Sequence, residues 1–284
     1  MSASSPTPAA PTDLETYLFD LQGFVVLPQA LSAGEVADLN TCLDTIPRLV
    51  PGEWYGYVHA HTYGTKDGLN YQQVYEAGEP FERLIDHPSW IEKIKYFVGG
   101  AGTFDYHHGP LFIDENFANF RGPGEAIGLH SGGTPPIMRN QFRYHNGRFM
   151  CGQVNVLTAL TDVGPGDGGT MLIPGSHKAN FPHPHLAAHR MKPEGATVEG
   201  AAGSIEVHLK AGDSVIFVDG ISHGSARRCN QGERRVVVYR YGPSWGNFRY
   251  GYQPSPELLA RLTPERRKIV QPLQPLERAP NRKT

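Results

Sequence analysis

From Gly102 onward the chain is cut into short β-type runs by glycine, proline and asparagine, and this texture constrains the fold more than any other feature. The candidate strands are "TFDYHH", "PLFID", "AIGLHS", "MCGQVNVLTALTDV", "TMLIP", "SIEVHL", "DSVIFV" and "RRVVVYRYG". Roughly eight short strands joined by irregular loops suit a jelly roll, in which two antiparallel sheets close over one core. The 33 Gly and 24 Pro supply the turns that such a fold needs.

Before that region the pattern is mixed. "YLFDLQGFVVLPQAL" leads with an apolar stretch and continues as a short strand, "GFVVL". Ser32 and Glu35 stand in capping-box spacing, with Val36, Leu39 and Leu43 at helical intervals, so a helix is expected from about Ala33 to Ile46. A second helix, "SWIEKIKYFVG", follows Pro88 and stops at Gly99–Gly100. "SPELLARLTPERRKIV" reads as one or two short surface helices. Residues 1–12 and 276–284 read as disordered tails flanking a single domain over residues 13–275.

The 284 residues carry 39 % hydrophobic content, enough for one sizeable core. A net charge of −2 gives no broad electrostatic case for a nucleic-acid polymer or an anionic membrane as partner. No apolar run approaches the ~20 residues of a membrane span, and the N-terminus has neither region of a secretory signal. Cys42, Cys151 and Cys229 are odd in number and far apart, so a disulfide framework is not expected. A reducing cytoplasm is the expected setting.

His130 lies at the end of "AIGLHS", and His223 follows the apolar run "DSVIFV" in "DGISHGS". A mononuclear iron site of the facial-triad type takes two imidazoles and one carboxylate and leaves further positions open. Its usual first half is H-x-D/E, because residues i and i+2 of a strand project to one face. Here the second member is Gly132. Arg234 follows His223 by eleven positions, where a guanidinium can hold a dicarboxylate through two hydrogen bonds. Arg235 faces the opposite side of the same strand, so at most one of the two can do so. Ser225 is placed to support the same carboxylate.

With these residues the sequence resembles the phytanoyl-CoA dioxygenase family of iron(II)/2-oxoglutarate enzymes. The matching pieces are "GFVVL", "TALTDVGPGDGGTMLIPGSHKANF", "LKAGDSVIFVDGISHGS" and the arginine of "GERRVVVYRY", spread over residues 20–241. The resemblance implies a mainly β chain with peripheral helices, folded as a double-stranded β-helix (jelly roll, cupin-like). It implies Fe(II) on His130 and His223, 2-oxoglutarate on Arg234 with Ser225, and O2 as oxidant. Hydroxylating members have Asp or Glu where this chain has Gly132, whereas the halogenating branch has Gly or Ala. Loss of the carboxylate removes one negative ligand and a side chain, which chloride can replace in charge and volume. Ser131 and Gly132, with the exposed amides of "SGG", are the candidate halide-binding residues.

Three functions follow. The first is halogenation of an unactivated C–H bond in a free small metabolite. The second is hydroxylation, with water or a remote carboxylate, Asp114, Glu115 or Asp219, in place of residue 132. The third is a jelly-roll binding protein without redox chemistry. Candidate substrate contacts are Arg143, Arg148, His183, His185 and Arg190 for an anionic group such as phosphate, and Trp54, Tyr55, Tyr57 and Tyr63 for a planar one. That profile is similar to the free-standing nucleotide chlorinases of nucleoside-antibiotic pathways, so a nucleotide or nucleoside is the candidate substrate. His177 reads as a structural histidine at a strand end. His59–His61 and His183–His185 read as loops.

Overall fold

The computed structural model describes residues 7–63, 68–99, 108–132, 137–192, 195, 197–246 and 251–272. In chain order the described strands are β1 (Phe24–Leu27), β2 (Trp54–Tyr55), β3 (Val58–His61), β4 (Leu69–Gln72), β5 (Leu111–Arg121), β6 (Ile127–His130) and β7 (Tyr144–His145). They continue with β8 (Arg148–Phe149), β9 (Val154–Ala159), β10 (Thr170–Leu172), β11 (Ile205–Val207), β12 (Ser214–Val218), β13 (His223–Ser225) and β14 (Arg234–Pro243). Eight strands form one sheet in the order β1-β12-β9-β14-β5-β4-β3-β2, and four form a second in the order β11-β10-β13-β6. Every pairing within these sheets is antiparallel, which is the jelly-roll arrangement expected from the strand texture.

The run "RRVVVYRYGP" makes β14 the spine of the large sheet, paired with β5 on one side and β9 on the other. Its two faces serve different ends. Arg234, Val236, Val238 and Arg240 face a cavity between the sheets. Tyr239 and Tyr241 face the helices instead, where their hydroxyls donate to the carbonyls of Phe81 and Leu84 at 2.6 and 2.9 Å. Trp90 donates to the Tyr241 hydroxyl at 3.2 Å, and Phe19 stacks on Phe97 at 3.7 Å. These rings knit the helices to the outer face of the large sheet and belong to the main apolar core. A smaller cluster, including Leu129, Met171, Ile173 and Val198, packs on the small sheet.

The helix expected near 33–46 spans Ala33–Asp44, with both halves of its capping box formed by Ser32 and Glu35. The second spans Ile91–Val98 and ends at Gly99. Two short helices, Pro256–Arg261 and Pro264–Val270, occupy the late segment, but Leu258, Leu262, Ile269 and Val270 are buried, so they are packed rather than merely superficial. Three local readings need correction. The apolar stretch before "GFVVL" is a helix, Asp13–Gln22, started by a Thr12/Glu15 capping box and stopped by Gly23 at φ 87°. The strand expected as "PLFID" runs on to Arg121. His59 and His61 lie on a strand, β3, not in a loop. The strand expected at 103–108 and most of the two tails lie outside the described residues, as does the remainder of "SGGTPP" after Gly132.

Candidate metal centre

Pairing of β13 with β6 sets His223 directly opposite His130, and a register shift follows between His223 and Ser225. The two imidazole rings stand 4.0 Å apart, centroid to centroid, at 56°. The Nδ1 of His130 lies 3.2 Å from the Gly128 carbonyl, and that of His223 lies 2.7 Å from the Ile221 carbonyl. A carbonyl oxygen only accepts, so Nδ1 carries the proton in each ring and Nε2 carries the lone pair that a metal needs. Burial first, and then the proximity of His223, holds His130 well below the ordinary imidazole value, so it is neutral near pH 7. Two imidazoles on adjacent strands, oriented through Nδ1, fit a divalent transition metal.

Both rings line a cavity of about 240 Å³ between the sheets. Arg234 lines it too and is only 5 % exposed. Its guanidinium donates to Asn119 Oδ1 at 2.9 Å, to Ser225 Oγ at 3.2 Å and to the Gly168 carbonyl. No carboxylate among the described residues lies within ion-pair range of Arg234, and its Nε is buried with no hydrogen-bond partner there. Burial above all, then Arg121 directly opposite on β5 and Arg228 nearby, pushes its pKa down to about 9. The site is therefore short of a negative charge, and a carboxylate would supply it. Arg235 points outward as the alternation demands and pairs with Asp44 at 2.8 Å and Glu233 at 3.2 Å.

Gly132 is not a vacant carboxylate position in the simple sense. It adopts φ 61°, following Ser131 at φ 60°, and a Cβ built there would stand 2.5 Å from Ser222 Cβ and 3.0 Å from its backbone nitrogen. Its N–H donates to the Gly220 carbonyl at 3.0 Å, so that amide is engaged within the protein. Neither Ser131 nor Gly132 lines the cavity.

Among the described residues, no group of three or more His, Cys, Asp or Glu stands close enough to hold a metal ion. Of the three spare carboxylates, Asp219 lines the same cavity as the histidines. Arg139 Nε holds one of its oxygens at 2.9 Å and Asn155 Nδ2 the other at 3.1 Å. Asp114 accepts from Gln153 at 2.8 Å, and Glu115 accepts from Gln72 at 2.9 Å and from Tyr63.

Of the expected substrate residues, Trp54, Tyr55, Tyr57, Arg143, Arg148, His185 and Arg190 are exposed and His183 is half-buried, and none of these lines the cavity, whereas Tyr63 does. His183 and His185 stay in an exposed segment, with rings 5.6 Å apart. His177 is structural: its Nε2 meets the Asp20 carbonyl at 3.1 Å, its ring stands edge-on to Phe142, and burial pushes it down to about 4. Beside Tyr63, the cavity wall is completed by Asn70, Asn119, Arg139, Met191 and Arg240, none of which was expected from the sequence. Arg240 was legible as the same-face partner of Arg234 in R-x-V-x-V-x-R, six positions on at a period of two. It reaches Glu115 at 3.3 Å.

These features define a double-stranded β-helix with a two-histidine centre and a buried arginine in one cavity. The chain belongs to the phytanoyl-CoA dioxygenase (PhyH) family, whose model matches residues 19–236. It is 32 % identical over 122 residues to the dioxygenase cdmD of Talaromyces verruculosus, covering 42 % of this chain and a third (33 %) of that protein's length. Among solved structures it is similar to HygX of Streptomyces hygroscopicus with nickel and 2-oxoglutarate bound, at 23 % identity and a TM-score of 0.68 over 88 % of this chain and 94 % of that one. It is also similar to SnoN, a non-heme α-ketoglutarate-dependent epimerase of nogalamycin biosynthesis, at 16 % identity and a TM-score of 0.57 over 82 % and 83 % of the two chains. At these identities the two structures show the shared fold.

Proposed function

We propose that this protein is an iron(II)/2-oxoglutarate-dependent oxygenase acting on a C–H bond of a small molecule. The observation that carries the reading is the shared cavity: two oriented imidazoles on one wall, and on another a buried arginine with no carboxylate partner among the described residues. His130 and His223 would hold the iron, and Arg234 with Ser225 would hold the distal carboxylate of 2-oxoglutarate. When bound, iron and 2-oxoglutarate together supply the oxidising power that O2 alone lacks at a C–H bond. The chain's own part is positioning and exclusion. Carbonyls of Gly128 and Ile221 fix the ring tautomers, Asn119 and Ser225 fix the guanidinium, and Phe117, Val236 and Val238 keep water from that wall. HygX has been crystallised with hygromycin B, which supports a natural-product substrate of modest size here.

The finer reading is halogenation, with chloride taken up at the metal. It rests on the donor set, which offers two histidines and a glycine at position 132, and not on an anion cradle in "SGG". The competing reading is hydroxylation with Asp219 as the remote carboxylate, supported by its place in the cavity wall. The two separate on chloride. Mass spectrometry of turnover over a metabolite panel should show chlorine's isotope pattern in the product, and chloride should tighten anaerobic 2-oxoglutarate binding. A hydroxylated product formed equally with and without chloride would establish the second reading, and Asp219→Asn would then abolish turnover.

A further inference from the structure

The large sheet has eight strands and the small one four, so one overhangs the other. Residues directly opposed in antiparallel strands share a face, which lets the cavity wall be followed outward strand by strand. One row runs Val236, Asn119, Asn70, His61. The next runs Val238, Phe117, Gln72, His59, Trp54. Val236, Val238, Asn119, Phe117 and Asn70 all line the cavity. The imidazoles of His59 and His61 and the indole of Trp54 therefore stand on the same face, beyond the cavity's edge. Tyr63, two residues past His61, lines the cavity itself and joins the two regions.

The rings on this shelf touch in sequence. Trp54 stacks on His59 at 4.4 Å and 18°, and His61 meets Tyr63 edge-on at 4.8 Å. The Tyr252 hydroxyl lies 2.7 Å from His59 Nδ1. Trp54 remains 51 % exposed and Tyr63 45 %. Scattered surface aromatics are ordinary, but a continuous aromatic row leading out of a cavity is not. Neither paired row, Val236 to His61 or Val238 to Trp54, contains a Lys, Arg, Asp or Glu.

Size gives the second argument. A cavity of about 240 Å³ is below the usual range of roughly 300–1,000 Å³ for a drug-sized ligand. If it also holds iron and 2-oxoglutarate, only the reacting end of a substrate fits inside. Four strand spacings, from β14 to β2, put Trp54 about 19 Å from the strand that carries Arg234.

We propose that the β2–β3 shelf is a distal substrate subsite, on which an uncharged ring of an elongated molecule lies against Trp54 while its reacting end enters the cavity. The assignment as a substrate subsite rests on the oxygenase reading of that cavity. Flat apolar faces suit either the C–H face of a sugar or a planar base.

Two probes distinguish these sources: cellotriose for a sugar ring and adenosine for a planar base, each titrated into the full chain by saturation-transfer NMR. Wild type should bind one of them saturably, and Trp54→Ala should weaken binding about 5-fold or more. Trp245→Ala, which removes an exposed tryptophan outside the row, should leave binding unchanged. The anaerobic iron/2-oxoglutarate absorption band should be the same in all three proteins. Absence of saturable binding for both probes, or binding indifferent to Trp54→Ala, overturns the shelf while an intact band preserves the oxygenase reading. Ring binding in a wild-type protein that gives no band overturns the substrate-subsite assignment together with that reading.

Discussion

Arg234 is a buried cation whose partners are a carbonyl, an amide oxygen and a hydroxyl, all neutral. Such a residue is tolerable when it works against an anion brought from outside, and the nearby Arg121 and Arg228 sharpen the need. Removing one partner of a buried charged pair typically costs about 2–5 kcal/mol in binding, which is at least ~30-fold in affinity. Arg234→Met should therefore raise the dissociation constant for 2-oxoglutarate at least ~30-fold by calorimetry while leaving metal uptake by His130 and His223 in place. An unchanged constant would move the co-substrate elsewhere. The same alternation that aims Arg234 inward turns Arg235 to Asp44 and Glu233, so Arg235→Met should leave 2-oxoglutarate affinity within about 2-fold.

Between residues and sheets, two local devices hold the site in register. The loop after β6 passes so close to Ser222 that residue 132 has no room for a Cβ, and its φ of 61° disfavours one independently. Gly132→Ala should destabilise the chain by about 1–3 kcal/mol, read as a lowered urea midpoint, and should loosen metal uptake by shifting the strand ends that carry both histidines. Wild-type stability in Gly132→Ala would mean that the loop moves freely. At the other end, the Asp13–Gln22 helix is tied down by Glu15, which caps Thr12 and pairs with Lys93 at 2.7 Å. Burial raises the Glu15 pKa, but Lys93 and Thr12 outweigh it and leave it below its ordinary 4.5. Because the folded value is the lower one, the stabilisation is present above pH ~4.5 and lost as the pH falls through the folded value. Glu15→Gln should accordingly lower the melting temperature at pH 7 and lose that effect in strong acid. The Thr12/Glu15 signal was in plain view, in the same T-x-x-E spacing that marks Ser32 and Glu35, but the apolar "YLF" beside it reads equally as a strand. β5 was cut short for the opposite reason. It carries Asp114, Glu115, Asn116 and Asn119 buried, where a cavity and a helix layer meet, so polarity no longer marks the outside.

At the scale of the molecule, antiparallel pairing converts distant sequence into a compact centre. His130, His223 and Arg234 were legible as a set because each sits at the end of an apolar run in a turn-rich chain. What could not be read was which other side chains close the wall: Asn70 comes from β4 of the large sheet and Arg139 from a short helical turn over Met138–Asn140, segments with no strand signature of their own. Nor could the tight approach of Gly132 to Ser222 be read, since it depends on the pairing that sets His223 opposite His130. The most direct test of the account is anaerobic addition of Fe(II) and then 2-oxoglutarate, followed by visible absorption. The wild type should develop the charge-transfer band of a 2-oxo acid chelated to iron. His130→Ala and His223→Ala should lack it, and Arg234→Met should reach it only at much higher 2-oxoglutarate. A wild type without the band, or histidine variants that retain it, would contradict the assignment of this cavity as an iron centre.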